Sequence, residues 1–364
     1  GPRYSADGEY IVYSRTSPVD GRTVRQVGRD GSDDKQLILQ TFSRRFSFER
    51  DGAAFYFSQN AINERFNDFN DIYRYTVENE SITKLQEAEQ SGKSLRARDP
   101  DVSSDGSKLV FVQNKLHQSY VTLGTFTDEQ RKTLKLQVLL PAHGDMQHAS
   151  PRFSPDDSKV VVSSWFPGGH RDIIVVDAST GQILKRITQD RALDANPTWS
   201  ADGRYVIYDS DRDGIFNLYA YDTQTEAHFR ITRVVGGAFQ PDVSPDGQSM
   251  LFRSASARGF DVHELDFRPE TWEPISYEAE AVPPESAGVV GEDGLIVSSF
   301  RHEEAPAELL ATQQDLEYTP WASLLPFNDN WVLFPALYLY NNDATARFST
   351  FGSDSLAEHR YSLA

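Results

Sequence analysis

The chain has 364 residues, 54 acidic against 36 Lys and Arg, a formal charge of −18 and no cysteine. That balance excludes the basic stripe of a nucleic-acid surface, and the missing cysteines exclude disulfides, thiolate zinc sites and cysteine nucleophiles. An apolar fraction of 38% with 12% aromatics suffices for a buried core in one large repeat domain or two domains.

From the N-terminus, one phrase recurs: Pro, any residue, an apolar residue, Ser, any residue, Asp, Gly, then a β-branched or aromatic run. Clear copies are PRYSADG from Pro2, PDVSSDG from Pro100, PTWSADG from Pro197 and PDVSPDG from Pro241. A copy from Pro151 (PRFSPDD) has Asp157 where Gly is usual, and Arg45 to Gly52 (RFSFERDG) keeps only the Asp-Gly turn. The aspartates Asp7, Asp51, Asp105, Asp156, Asp202 and Asp246 fall at a near-constant period, the mark of a repeat architecture.

Within the repeat at 197–232, Pro197 to Ser200 reads as a short strand and Ala201-Asp202-Gly203 as a tight turn. Arg204 to Asp209, Asn217 to Asp222 and His228 to Thr232 supply three more strands. Leu218 and Ala220 fall on one face of the third, Tyr219 and Tyr221 on the other. Four short antiparallel strands per period predict a propeller blade. Third strands are expected at Asp71 to Tyr73, Ser119 to Thr122, Asp172 to Asp177 and Asp261 to His263, with a polar insertion at Asp128 to Lys132 in the third repeat. SPDG or SADG, an apolar strand, Asp-Ile-Tyr or Asn-Leu-Tyr, then Ile-Thr, together resemble the TolB-type β-propeller repeat over roughly residues 1–270. The regular Ser and Asp are expected to satisfy backbone groups at the turns around the channel entrance. Trp199 is expected between blades.

The chain opens inside a first repeat strand, so a longer parent protein is expected. Pro2 is read as native because it keeps register with the later prolines. Residues 275–317 are acidic and Pro-punctuated, a linker or a degenerate seventh repeat around Gly291 to Val297. Residues 318–364 are aromatic-rich, with WVLFPALYLY at Trp331 to Tyr340. Tyr318, Pro320-Trp321, Leu324-Leu325-Pro326, Trp331, Pro335, Gly352, Asp354, His359 and Tyr361 resemble the junction of a TolB-like propeller with a surface-antigen-type outer-membrane barrel. That resemblance implies the first strands of a barrel; the other reading is an edge segment packed on the propeller. The predicted domains are therefore 1–274 (propeller), 275–317 and 318–364.

No candidate catalytic, cofactor-binding or metal-ligating residue survives inspection. Asp209 to Gly214 begins like a calcium loop but has Ala220 where the bidentate Glu belongs. Asn67 to Asp71 reads as a polar turn, and His143 to His148 as a solvated loop. His170, His228, His263 and His302 read as strand or turn residues. Gly352-Ser353-Asp354-Ser355 lacks the second Gly of a nucleophile elbow, and no phosphate-binding glycine motif is present. The resemblance implies a non-enzymatic envelope protein of a Gram-negative bacterium, in the periplasm or outer membrane. It would bind protein or peptide at a propeller face, take no cofactor, and meet the membrane through its C-terminal segment. The alternative is a substrate-filtering propeller of a peptidase whose catalytic domain lies elsewhere.

Overall fold

A computed structural model describes residues 1–17, 21–39, 45–63, 67–88, 93–115, 118–141, 146–166, 170–257, 259–280, 331–340, 343–353 and 360–363. Six sheets follow one another along the chain, one per repeat, as blades of a propeller. Blade 1 holds β1 (Arg3–Tyr4), β2 (Tyr10–Ser17), β3 (Gly21–Gly28) and β4 (Lys35–Leu39). Blade 2 holds β5 (Phe46–Phe48), β6 (Ala54–Asn63), β7 (Asn67–Thr76) and β8 (Ser81–Lys84). After β9 (Gln86–Glu87), blade 3 holds β10 (Ala97–Val102), β11 (Lys108–Lys115), β12 (Gln118–Phe126) and β13 (Thr133–Leu140). Blade 4 holds β14 (Gln147–Phe153), β15 (Lys159–Phe166), β16 (His170–Asp177) and β17 (Ile183–Arg186). Blade 5 holds β18 (Asp194–Trp199), β19 (Tyr205–Ser210), β20 (Asn217–Asp222) and β21 (His228–Arg230). Blade 6 holds β22 (Ala238–Val243), β23 (Ser249–Ser256) and β24 (Gly259–Asp266).

Each blade is an antiparallel meander in chain order, and each Asp-Gly or Asp-Asp pair turns from its first strand to its second. The expectation of four strands per blade needs correcting at three places. Among the described residues blade 6 has three strands, blade 3 gains β9 in parallel beside β13, and blade 5 gains β25 (Glu273–Ile275) beside β21. The predicted boundary at 274 therefore falls inside β25, and Tyr277 beyond it stacks on His228 with ring centroids 4.2 Å apart. Asn67 to Asp71, expected as a turn, is the first half of β7, paired residue for residue with β6. Strand pairing there satisfies the backbone that a polar sequence alone would send to solvent.

The core lies in the seams, because each blade is apolar on both faces. Leu218 and Ala220 face blade 6, while Tyr219 and Tyr221 face blade 4, as their alternation predicts. Trp199, 7% exposed, packs in the blade 4–5 seam with Val161, Ile173 and Val206. The blade 6–1 seam is the thinnest, with Tyr4, Ile11 and Leu251 as its buried members.

A polar side chain within the third strand fastens the chain that follows it in blades 2, 4 and 5. Asp71 accepts from Ser94 Oγ at 2.8 Å and pairs with Lys84 at 2.6 Å. Asp172 pairs with Arg186, and Asn217 Oδ1 accepts from Thr232 Oγ1 and from the Val234 amide, both at 2.9 Å. The Asp-Ile-Tyr and Asn-Leu-Tyr signatures thus carry a buried staple for the loop leading to the next blade.

A second compact unit, residues 302–364, contains an antiparallel meander of β26 (Trp331–Tyr340), β27 (Asp343–Ser353) and β28 (Arg360–Leu363). Tyr340 pairs with Asp343, so two residues join the first two strands. The 281–317 part of the predicted linker, including Gly291 to Val297, lies outside the described residues, as do Tyr318 to Asn330. Among the described residues no helix is long and apolar enough to cross a membrane, which says nothing of β-strands.

Candidate functional site: a cup over a charged channel floor

The turns come first, because they build the rim. In blade 3, Ser103 Oγ donates to Asp105 Oδ1 at 2.7 Å and accepts from the Lys108 amide at 2.9 Å. Asp105 also accepts from the Ser107 amide, and these bonds, led by the Ser103 hydroxyl, pull its carboxyl down to about 2. The same Ser–Asp pair forms at 5/7, 154/156, 200/202 and 244/246. These residues are turn staples, as expected from the sequence.

The two departures from the phrase have physical reasons. Asp157 takes the left-handed conformation its missing Gly would take, with φ +59°. Its carboxylate grips the turn of blade 3, accepting from the Ser104 amide at 2.9 Å and from Ser104 Oγ at 2.5 Å. In blade 2, Glu49 stands where Ser is usual and is 2% exposed. Burial opposes its charge, but Arg74, Tyr56 and Arg131 all bond it, and its carboxyl falls to about 2. Arg131 comes from the polar insertion of the third repeat. Two irregularities that look unrelated in the sequence are one inter-blade contact.

Inside the rim, the first strands of blades 3 to 6 each carry a bulge. Asp99, Ser150, Asn196 and Gln240 have φ of +54°, +58°, +53° and +55°, each just before its proline. The register slips by one residue at each of them. Residues before proline are ordinarily extended; here the bulge overrides that preference in four blades and aims the residue after the proline at the axis.

That position is held by Arg3, Ser47, Asp101, Arg152, Thr198 and Asp242 in blades 1 to 6. Four of the six close the channel. Arg3 lies 2.8 Å from Asp242 and 3.6 Å from Asp101; Arg152 lies 3.4 Å from Asp101 and 3.2 Å from Asp242. Asp101 Oδ2 accepts from the Phe153 amide of blade 4, and Asp242 Oδ2 from the Tyr4 amide of blade 1, both at 2.9 Å. The second bond closes the ring between last blade and first. Ser47 Oγ adds a bond to Asp101 at 2.9 Å. Burial raises both carboxyls, Asp101 to about 6, against the opposing pull of Arg3. Above this floor is a cup of about 280 Å³, walled by Phe48, Val102, Phe153, Trp199 and Val243 and rimmed by the turns, Pro155, Ala201 and Pro245 among them.

The sequence motifs weighed for chemistry are dispersed. Around Asp209 to Gly214 the carboxylates face different partners. Asp209 accepts from Asn196 and the Gln240 amide, Asp211 from the Leu193 amide, and Asp213 from Tyr219 and Arg230. Among the described residues no group of three or more His, Asp or Glu could hold a metal ion. His148, expected in a solvated loop, is buried in β14, with Nδ1 2.8 Å from Ser164 Oγ; the strand pairing with β15 draws it in. His143 and Gly352 to Ser355 fall outside what is described of side chains. His228 is buried, and desolvation lowers its imidazole to about 4.

The sequence model of the TolB beta propeller domain matches residues 86–287. The chain belongs to that family. A curated relative, the Tol-Pal system protein TolB of Bordetella pertussis, is 28% identical over 153 residues, which are 40% of this chain and 33% of that protein. The match thus spans about a third of the length of that relative. Among solved structures, TolB from Acinetobacter baumannii superposes with a TM-score of 0.58 at 18% identity, over 72% of this chain and 62% of that one. A puromycin-hydrolyzing peptidase of Mycobacterium tuberculosis gives 0.54 at 14% identity, over 78% and 46%. These two likenesses speak for the propeller alone. In this member of the TolB propeller family, the channel-facing column was missed by sequence reading because the phrase admits any residue there. Aligning the six copies and reading that column downward would have found it.

Proposed function

We propose that this chain is a non-catalytic, protein-binding propeller of the Gram-negative cell envelope, taking a protein or peptide segment in the cup. The observation that carries this reading is the closed floor. Two arginines and two aspartates span the channel at 2.8 to 3.6 Å, so the mouth is a recess with an end rather than a passage. A recess walled by Trp199 and Phe153 over charged groups is the composition of an interaction site. The TolB relatives support the envelope location. The peptidase-filter alternative draws on a likeness of fold only, and a filter would need an open channel.

A photo-crosslinking residue at Ala201, on the rim, is expected to give discrete protein adducts in envelope preparations, and the same residue at Leu184, on the outer strand of blade 4, none. No adduct at Ala201, or equal adducts at both, overturns the reading.

We further propose that residues 318–364 begin an outer-membrane barrel, joined to the propeller by the part of 275–317 that follows Glu280. The β26 and β27 lengths of 10 and 11 residues match a membrane-spanning strand. In lipid such strands need neighbours on both edges. Residues 1–364 should then require detergent where 1–316 does not. A longer chain that is equally soluble, monomeric and more heat-stable ends this proposal.

A further inference from the structure

One rim position breaks the repeat. The residue after the turn aspartate is Gly8, Gly52, Gly106, Gly203 and Gly247 in five blades, and Asp157 in blade 4. Asp157 keeps the left-handed backbone of those glycines, φ +59° against +67° to +76°, a conformation costly to any residue with a Cβ. Neighbouring seams close without a side chain there. A Cβ at Gly203 would lie 3.5 Å from Pro155 of the preceding blade, and one at Gly247 3.3 Å from Ala201, so these turns already touch. Closing the rim therefore does not by itself account for a carboxylate at 157.

The charges of the cup single out the same group. On the floor, Arg3 and Arg152 each lie against both Asp101 and Asp242, two charges of each sign. The second oxygens of those carboxylates accept from the Phe153 and Tyr4 amides. Asp157 lines the cup as well, and among the described residues its carboxylate meets the amide and hydroxyl of Ser104 and no Lys or Arg. The charged residues lining the cup thus leave one negative charge that no cation answers.

A second group points to a guest. Thr198 lines the same cup, is 5% exposed, and its hydroxyl has no partner among the described residues. A hydroxyl buried without a partner costs free energy until something bonds it. Around it stand Phe48, Val102, Phe153, Trp199 and Val243. Apolar walls below a rim carboxylate suit a side chain that carries its positive charge on an alkyl stem. Among the described residues no group of three or more His, Asp or Glu could hold a metal ion, which favours an ammonium or guanidinium over an inorganic cation.

We propose that the segment the cup takes is cationic. A Lys or Arg side chain lays its stem along the apolar wall and sets its head group against Asp157, and a polar group of the same segment bonds Thr198. This rests on the reading of the cup as a protein-binding site and adds the chemistry of what enters. An anionic guest would face Asp157 and find both floor arginines already shared between two carboxylates.

The probe is a labelled peptide with blocked termini carrying one Lys among Val and Thr, titrated by fluorescence anisotropy against residues 1–364 in whatever detergent they need. Counterparts with norleucine or Glu in place of Lys are run beside it. The Lys peptide should bind at least about ten-fold more tightly than the norleucine peptide, and the Glu peptide more weakly than either. On Asp157→Gly, which installs the residue of the other five blades on a backbone that suits it, the Lys and norleucine peptides should bind alike. Thr198→Val should weaken both by at least about three-fold. Asp157→Asn, which keeps an acceptor for the Ser104 amide, repeats the comparison should the Gly variant fold poorly. No binding of the Lys peptide, equal binding of Lys and norleucine peptides by the unaltered protein, or no loss on Thr198→Val overturns the proposal. A parallel loss of both peptides on Asp157→Gly does so too, because it would mark Asp157 as a clamp on the turn alone. Displacement of the Lys peptide by calcium chloride at constant ionic strength would assign Asp157 to an inorganic cation, with the same result. The Ala201 crosslinks report on protein binding alone, so discrete adducts there with equal binding of the peptides end this proposal and leave that reading standing.

Discussion

Blades 5 and 6 begin with nearly the same words, PTWSADG and PDVSPDG, and end in opposite states. Their first two strands, turns and bulges correspond residue for residue, with Ala195 opposite Asp209 in one and Phe239 opposite Arg253 in the other. The third strands then part company. Leu218 in β20 is wholly buried; Val262, at the equivalent register in β24, is 40% exposed. The recurring phrase governs the inner half of a blade because its turn residues act locally. The outer half depends on where the chain goes next, and after β24 it returns to blade 5.

The largest effect expected from this comparison is in the better-covered blade. Trp199→Ala should cost about 3 to 5 kcal/mol by chemical denaturation, the range for truncating a packed aromatic. A midpoint near wild type would break the seam assignment.

The matched pair sharpens it. Leu218→Ala should cost about 2 to 5 kcal/mol, as for a buried aliphatic, and Val262→Ala within about 0.5 kcal/mol. Similar losses at both would show that blade 6 is covered in solution.

The smallest effect is a slope. Burial lifts the blade 5 carboxyl of Asp209 from 3.8 to about 6, with Oδ1 meeting no described partner. The folded state then holds a proton that the unfolded chain has released. The stability tied to this group is complete below pH 3.8 and lost as pH rises through about 6. Asp105 has the opposite sign: lowered to about 2, it stabilises above 3.8 and ceases to as pH falls through about 2. Asp209→Asn should flatten the decline between about pH 4 and 6 in a thermal series. An unchanged slope there would show that the carboxylate is hydrated. The blade 6 counterpart is Arg253, stacked 4.2 Å over Phe260, so no matching step is expected from that position.

The contrast also marks how far the sequence could be read. Strand order, turn chemistry and the two faces of Asn217–Asp222 follow from period-two alternation and Asp-Gly turns, which are local. The place of Trp199 follows from repeat register. The left-handed residues before the prolines did not, because local rules favour extended backbone there and a tertiary bulge prevails. The Glu49–Arg131 contact joins residues 82 positions apart in sequence (131 minus 49) through blade stacking. Likewise β25 at Glu273–Ile275 lies where the acidic linker was expected to begin, until blade 5 supplies its partner strand.

The channel column has a further regularity. Read from blade 1, it runs Arg3, Ser47, Asp101, then Arg152, Thr198, Asp242, and the neighbouring wall column runs Tyr4, Phe48, Val102, then Phe153, Trp199, Val243. Three blades repeat as a unit, so the floor has an approximate twofold axis along the channel. A guest turned by half a revolution meets the same order of cation, hydroxyl and anion. The floor can fix what kind of group enters but not which way round it lies. Orientation must be read where the symmetry fails on the rim, at Asp157 opposite Gly8.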